Sequence, residues 1–377
     1  MKYEFKIIKP AFKNQLNVIA VSSSSEYAPY LAVYLQSLID NANDKKQYDI
    51  VVFSKSISES NKQKIRILEK ENISIRFYDP SEYFANVNLY ISNPYFKEEC
   101  YYRVVAPNIL SLYNKVLFTD LDLIIKTDIL NIFDISIDNN IIGCSIEPYW
   151  YILYDENVTL NNNGYLINIR EYCKNNLNTK NPLEYYNTGV CLIDIKKFIE
   201  FNSFEKLLKC INDNKFLYQE QDAINVIFKG KIFKLPEIWN FELLEIDLNK
   251  KYSLNVEQYI NNYNKNESNA KILHFLGAYK PWIYPNKDKV NFWWIYARKS
   301  PFYEEIIEQY VSRQLEDNNK LIYKLMYINN HKILFSYKKI KYFLKSKLLH
   351  SKKQHYYLKK YLELCTYLNK LKQFKKL

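Results

Sequence analysis

Apolar and polar positions along the first third of the chain switch between two periods. Residues 16–21 are a short, mostly apolar run closed by Ser22-Ser23-Ser24-Ser25. Residues 28–39 follow with apolar side chains at Leu31, Tyr34, Leu35 and Leu38, the three-and-four spacing of one helical face. Residues 48–53 form a second strand, residues 58–71 a polar amphipathic helix, and residues 73–78 a third strand. This β-α-β-α-β alternation predicts an α/β fold with a parallel, doubly wound sheet, because parallel neighbours need a crossover between them. Residues 98–112 read as a further helix, leading into the apolar run 115–125.

That run has the pattern of a buried strand, yet it carries Asp120 and Asp122. On a strand, residues two apart share a face, which sets the pair roughly 6–7 Å apart at the backbone. Two acids held there repel each other and lose hydration unless a cation or a set of donors meets them. The bland alternative is a strand that has reached the surface. It competes poorly, because Leu121 and residues 123–125 continue the apolar run around the pair. A hard divalent cation, Mg²⁺ or Mn²⁺, explains the pair better. In open α/β sheets ligands collect beyond the carboxyl ends of strands, where both the Ser22–Ser25 turn and the two aspartates fall.

Three later segments add polar chemistry. Asn187-Thr188-Gly189 reads as a polar turn just before a second apolar strand. The chain has only 5 glycines, so Gly189 points to an unusual backbone angle or a close approach to a ligand, with an ordinary turn as the alternative. Gln219-Glu220-Gln221-Asp222 opens an amphipathic helix with an acidic first turn; a capping cluster is the plainer reading. Residues 272–282 join His274, Gly277, Lys280, Pro281 and Trp282, and His274 is the only histidine before residue 331. Neither a G-x-G-x-x-G nor a G-x-x-x-x-G-K-[ST] pattern occurs. Phosphates of any bound nucleotide must then be neutralised by metal and side chains.

The motifs Tyr27-Ala28-Pro29-Tyr30-Leu31, Tyr102-Arg103, Phe118-Thr119-Asp120-Leu121-Asp122, Asn187-Thr188-Gly189, Gln221-Asp222-Ala223-Ile224-Asn225 and His274-Phe275-Leu276-Gly277-Ala278-Tyr279-Lys280-Pro281-Trp282 occur in that order. Together, over residues 16–282, the chain resembles the family 8 glycosyltransferases. These are retaining enzymes that include lipopolysaccharide galactosyl- and glucosyltransferases and glycogenin. The resemblance implies a GT-A nucleotide-sugar-binding fold with a mostly parallel, doubly wound sheet. It implies Asp120, Asp122 and His274 as ligands of Mn²⁺, with Mg²⁺ as the alternative, bridging the donor diphosphate. By the same resemblance Lys280 and the Gly277 backbone touch phosphate, and Arg103 closes over the donor. Asn187, Glu220, Gln221 and Asp222 surround the sugar, the last three as the catalytic set, and Thr188 joins the donor-binding residues.

The implied donor is a UDP-hexose, glucose or galactose, and the implied acceptor a glycan or glycolipid such as a lipopolysaccharide core. An oxocarbenium-like sugar centre is stabilised by nearby carboxylate and amide oxygens. Gln221 would face the sugar opposite the leaving phosphate; an amide is a poor nucleophile, so front-face attack is favoured. One departure stands out. The family's acidic run before the Tyr-Ala-Pro segment, which contacts uracil and ribose, is Ser24-Ser25-Glu26 here. Hydroxyls still donate and accept, so Ser24 is retained as a donor-binding candidate and UDP as the first choice.

Hydrophobic content of 48% and 36 tyrosines are ample for a large core. No stretch approaches the ~18 apolar residues of a membrane span. The first 15 residues lack the apolar centre of a signal peptide. Six scattered cysteines without a C-x-x-C fit a reducing cytoplasm and argue against a zinc site or a disulfide framework. The net charge of +12 is misleading until located. Residues 331–377 hold 14 lysines, one glutamate and no arginine, which leaves the preceding 330 residues at −1.

A boundary near residue 320 follows, with a catalytic domain over 1–320 and a basic amphipathic helical tail over 321–377. Two apolar stripes at helical spacing, Ile333, Tyr337, Ile340, Leu344, Leu348 and Tyr357, Tyr361, Leu364, Leu368, Leu371, suit an anionic membrane surface. The expectation is a cytoplasmic protein, peripheral on the inner face of the cell membrane; a helical pair packed on the body is the alternative. A catalytically idle body with a nucleic-acid-binding tail is the second functional reading. Lysine without arginine, and no separate stacking platform, argue against nucleic acid.

Overall fold

The computed structural model describes residues 3–92, 97–162, 165–244, 251–278, 280–287, 289–330 and 342. Its strands, in chain order, are β1 (Asn17–Ser22), β2 (Tyr48–Phe53), β3 (Ile73–Tyr78), β4 (Lys115–Thr119), β5 (Leu123–Ile125), β6 (Ile142–Ile146), β7 (Thr159–Asn162), β8 (Tyr165–Asn168), β9 (Tyr186–Asp194), β10 (Ile232–Lys234), β11 (Phe241–Glu242) and β12 (Ile272–His274). Seven of them form one sheet in the order β10-β6-β9-β4-β1-β2-β3. All neighbours in it are parallel except β9, which runs antiparallel to β4 and β6. A smaller sheet has the order β11-β12-β5, and β7 and β8 form a hairpin.

The near-continuous apolar strands are explained by burial on both faces. Ile19 and Val21, Ile50 and Val52, Leu117, Val190 and Leu192 pack into one core with the helix Ala28–Asp40 and the small sheet. Their alternates Val18, Ala20, Val51, Phe53, Val116, Phe118, Cys191 and Ile193 pack into a second core with the helices Ile195–Glu200, Ser203–Asp213 and Gln219–Ile227. A period of two along each strand thus builds three layers. The polar helix of the sequence reading is Glu59–Arg66, and Ser58 caps it by accepting from the Asn61 amide.

Three local expectations are corrected. Residues 98–112 are not one helix but a 3-10 segment, Glu98–Val104, followed by the short helix Ala106–Ile109. Pro107 has no amide hydrogen to extend the preceding turn and sits instead in the first turn of a new helix. The run 115–125 is not one strand: it leaves the large sheet after Thr119 and enters the small one at Leu123. Asn187-Thr188-Gly189 is not a turn before β9 but lies inside it, next to a register shift against β6.

The chain divides into two compact units, Met1–Ile306 and Ile307–Leu377. The sheets belong to the first. In the second, the helix Tyr303–Asn330 runs on to its end, with an exposed Glu316–Lys320 pair at 3.6 Å. The boundary expected near residue 320 therefore falls within a helix. The two basic apolar stripes expected beyond His331 lie outside the described residues. No described helix is long and apolar enough to cross a membrane.

Candidate metal and donor site

The crossing between sheets makes the site. Asp120 is tied to the large sheet by its amide, which donates to Gly189 O at 2.8 Å. Asp122 is tied to the small sheet by its carbonyl, which accepts from the Phe275 amide at 3.0 Å. The side chains converge because the chain bends between two sheets, and not because of a strand pleat. On β12, paired with β5, His274 lies opposite Leu123. Its Nε2 comes within 3.4 Å of Asp122 Oδ1 and 4.0 Å of Asp120 Oδ2. One ligand atom from each of the three residues lies within 4.8 Å of the others.

His274 is fully buried, and its Nε2 has no hydrogen-bond partner. Its Nδ1 sits 2.9 Å from Asn240 Oδ1. Gly189 makes room for the ring: a Cβ there would stand 2.5 Å from His274 Cε1. The close-approach reading of this glycine is thus met by a side chain. A buried imidazole nitrogen left over, facing two carboxylate oxygens, is a donor set that suits a divalent cation. The residues present fit the metal that the sequence implies.

The outer carboxylate oxygens already have cationic partners. Arg103 Nη2 donates to Asp120 Oδ1, and Lys280 Nζ donates to Asp122 Oδ2. Burial alone would raise the Asp122 pKa, but Lys280 and His274 outweigh it and hold this carboxyl below the usual carboxylate range. Lys280 Nζ also donates to Phe275 O at 2.8 Å. Its segment is anchored by Trp282, which stacks on Tyr30 of the helix Ala28–Asp40 with ring centroids 4.2 Å apart. Gly277 holds φ +79°, a left-handed angle that a side chain would strain. Arg103 is buried, lies over the Phe118 ring at 5.2 Å, and donates to Thr188 O. Its Nε lies 3.3 Å from Glu220 Oε1. Burial, with Asp120 adding to it, pushes the Glu220 carboxyl up to about 7 against the pull of Arg103.

The remaining candidates form a second polar group along the start of the helix Gln219–Ile227. The Gln221 amide is held at both ends: Nε2 donates to Tyr185 Oη at 3.1 Å, and Oε1 accepts from the Thr188 amide at 3.0 Å. Asp222 is fully buried and accepts from Tyr172 Oη at 2.7 Å, from the Tyr218 amide at 2.9 Å and from Tyr185 Oη. Asn187 is buried too. Its Oδ1 accepts from the Gly189 amide at 2.7 Å, and its Nδ2 donates to Glu147 Oε2 at 2.8 Å. Asp222 and Asn187 are thus engaged with the scaffold, whereas Ser24 Oγ, at the end of β1, has no hydrogen-bond partner.

Sequence reasoning passed over Asn240, Glu147, Tyr172 and Tyr185, which orient the residues above. Glu147 had a signal, since it ends the apolar run of β6 as Asp120 ends β4. Asn240 had none. It is a single polar residue between Trp239 and Phe241, and only the fold brings it to His274.

The sequence model described as Glycosyl transferase family 8 matches residues 18–285. General stress protein A of Bacillus subtilis (strain 168) is 24% identical over 281 residues, 72% of this chain and 88% of that protein. Lipopolysaccharide 1,2-glucosyltransferase of Escherichia coli (strain K12) is 26% identical over 216 residues, 54% of this chain and 55% of that protein. Among solved structures, apo WbbM, a bifunctional glycosyltransferase, aligns with a TM-score of 0.70 at 23% identity, covering 80% of this chain but 53% of that one. The galactosyltransferase LgtC, in complex with donor and acceptor sugar analogues, aligns with a TM-score of 0.58 at 20% identity, over 76% of this chain and 96% of that one. These likenesses establish the GT-A fold.

Proposed function

The chain belongs to glycosyl transferase family 8, and on that premise we propose that it is a metal-dependent retaining transferase moving glucose or galactose from UDP to a glycan acceptor. The observation that carries this reading is the convergence of Asp120 Oδ2, Asp122 Oδ1 and His274 Nε2 at the carboxyl end of β4. These three residues would hold Mn²⁺ or Mg²⁺. Bound there, the cation supplies positive charge against the diphosphate as it leaves.

The chain's own residues do the rest. Lys280, fixed by Phe275 O and Asp122, offers a second positive charge to the leaving phosphate. The Gly277 backbone would approach the same phosphates, and Ser24 Oγ, buried without a hydrogen-bond partner, is the hydroxyl left for the nucleoside. Arg103 sets the orientation of Asp120 and Glu220 beside the sugar. Gln221 presents its pinned amide to the sugar face opposite the phosphate. The C1–O bond to phosphate breaks with its electron pair staying on the phosphate oxygen. The acceptor hydroxyl oxygen then bonds to C1 from the same face, and its proton passes to that phosphate oxygen.

Front-face attack is favoured because, among the described residues, the carboxylates flanking Gln221 are both engaged. The Asp222 oxygens are taken by two phenols and an amide, and Glu220 is paired with Arg103. A lipopolysaccharide-type acceptor is suggested by the name of the Escherichia coli relative. The lysine-rich tail from His331 would hold the protein on an anionic membrane, peripheral on the cytoplasmic face, where a lipid-linked acceptor is found. The test is a screen of UDP-glucose, UDP-galactose and other nucleotide sugars, read as released nucleotide. Hydrolysis that needs Mn²⁺ or Mg²⁺ and stops with chelator supports the reading. Metal-independent release, or none from any UDP-sugar, would sink it.

A further inference from the structure

We propose that Asn240 is a positioning residue that fixes which nitrogen of His274 faces the two aspartates, and that the backbone amide of Gly189 sets its polarity. The inference rests on the metal reading of the triad. It starts from a donor whose identity is not in question. The Gly189 N–H can only donate, and it points at Asn187 Oδ1 at 2.7 Å. That end of the Asn187 amide is therefore the oxygen, and the other end, 2.8 Å from Glu147 Oε2, is the NH₂.

The Asn187 oxygen takes its second hydrogen bond from Asn240 at 2.8 Å, so the Asn240 NH₂ lies on that side. The Asn240 oxygen is then left facing His274 Nδ1 at 2.9 Å. An oxygen accepts, so Nδ1 carries a proton, which leaves Nε2 as the nitrogen whose lone pair can serve a cation. Nε2 is the nitrogen 3.4 Å from Asp122 Oδ1. Each step removes one ambiguity of amide or ring orientation, and the tautomer follows from the network as a whole.

Gly189 enters twice. Its amide orients Asn187, and its missing Cβ admits the imidazole, since a Cβ would fall 2.5 Å from Cε1 and 3.0 Å from Nδ1. Asn240 is itself 1% exposed, so water does not compete for the Nδ1 proton. Partners behind a metal-ligating histidine fix its ring and tautomer, and their loss costs about 10–100-fold in metal affinity.

The test uses the full chain. In metal-free wild-type protein, ¹⁵N spectra of labelled histidine report which ring nitrogen is protonated, and the His274 signals are those absent from His274→Gln. The expected form is Nδ1–H. Mn²⁺ titrated into Asn240→Leu should bind about 10–100-fold more weakly. An Nε2–H tautomer in the wild-type protein overturns the proposal even if Asn240→Leu fails to fold. So does wild-type affinity in a folded Asn240→Leu protein. The tautomer is read without metal, so it stands or falls separately from the identity of the donor and of the ion.

Discussion

Asp122 and Asp222 are both aspartates at the carboxyl side of the large sheet, and the fold treats them in opposite ways. Asp122 has one oxygen bound by Lys280 and one turned toward a histidine nitrogen that has no hydrogen bond. Asp222 has both oxygens filled, by Tyr172, Tyr185 and the Tyr218 amide, and is fully buried. Lys280 and His274 outweigh burial and hold the Asp122 carboxyl low, whereas burial pushes the Asp222 carboxyl up despite those three donors. A carboxylate with an oxygen in reserve is built to bind something. One whose lone pairs are spoken for is built to hold its neighbours, here the Tyr185 hydroxyl that orients Gln221. The residue type is the same; the unmet valence differs.

The strongest way to break this contrast is to neutralise the first group. Asp122→Asn should lower turnover by about a thousandfold, the scale of the several kcal/mol a metal contributes, with little change in thermal stability. Asp120→Asn and His274→Ala should behave alike. Wild-type-like turnover by any of the three, with metal supplied, removes that residue from the site.

Neutralising the second group should act on the fold. Asp222→Asn leaves a buried phenol or amide donor without its acceptor and should cost about 1–3 kcal/mol in urea unfolding. Its Mn²⁺ affinity should match that of wild type. A weakened metal affinity with unchanged stability would place Asp222 among the ligands.

Lys280 sharpens the comparison, since it occupies the Asp122 oxygen that faces away from His274. Lys280→Ala should slow turnover about 100-fold, the low end of the range for losing one charge-stabilising donor, while Mn²⁺ affinity holds or improves. An unchanged rate would reassign Lys280 to a surface turn fixed by Pro281.

A pH-dependent effect concerns Glu220, which lies between the two groups. Its pKa of about 7 in the folded protein stands above the ordinary 4.5. Between those values the folded state keeps a proton that the unfolded chain has released. Stability is therefore lost as pH rises through the window, by roughly 3 kcal/mol for a shift of this size. Glu220→Gln should flatten that fall, measured as Tm against pH. A slope identical to wild type would mean the carboxyl is ionised throughout.

How much of this was legible in the sequence follows from the range of the forces involved. The β1-to-β3 half of the fold was readable because period-two and period-four patterns are local and each strand is buried on both faces. The aspartate pair was readable because charge inside an apolar run is anomalous wherever it occurs. The reason given for their convergence was not, since the bend between two sheets depends on β9 and β12, respectively about 70 and 150 residues further on by the strand positions. Asn240 was invisible for the same cause: a lone amide has no pattern, and its partner on β12 is fixed by the small sheet. Asn187 and Asp222 carried motif resemblance but no hint that the scaffold occupies their polar atoms. Hydrogen-bond occupancy is a tertiary property, and no local spacing encodes it.

The central claim is that Asp120, Asp122 and His274 form a cation site and that Asp222 does not contribute to it. Electron paramagnetic resonance of Mn²⁺ titrated into the full chain tests this most directly, with wild type, Asp122→Asn and Asp222→Asn compared as folded proteins. The account predicts one tight Mn²⁺ in wild type, the same in Asp222→Asn, and none in Asp122→Asn. Tight binding that survives Asp122→Asn, or that disappears in a folded Asp222→Asn protein, would contradict it.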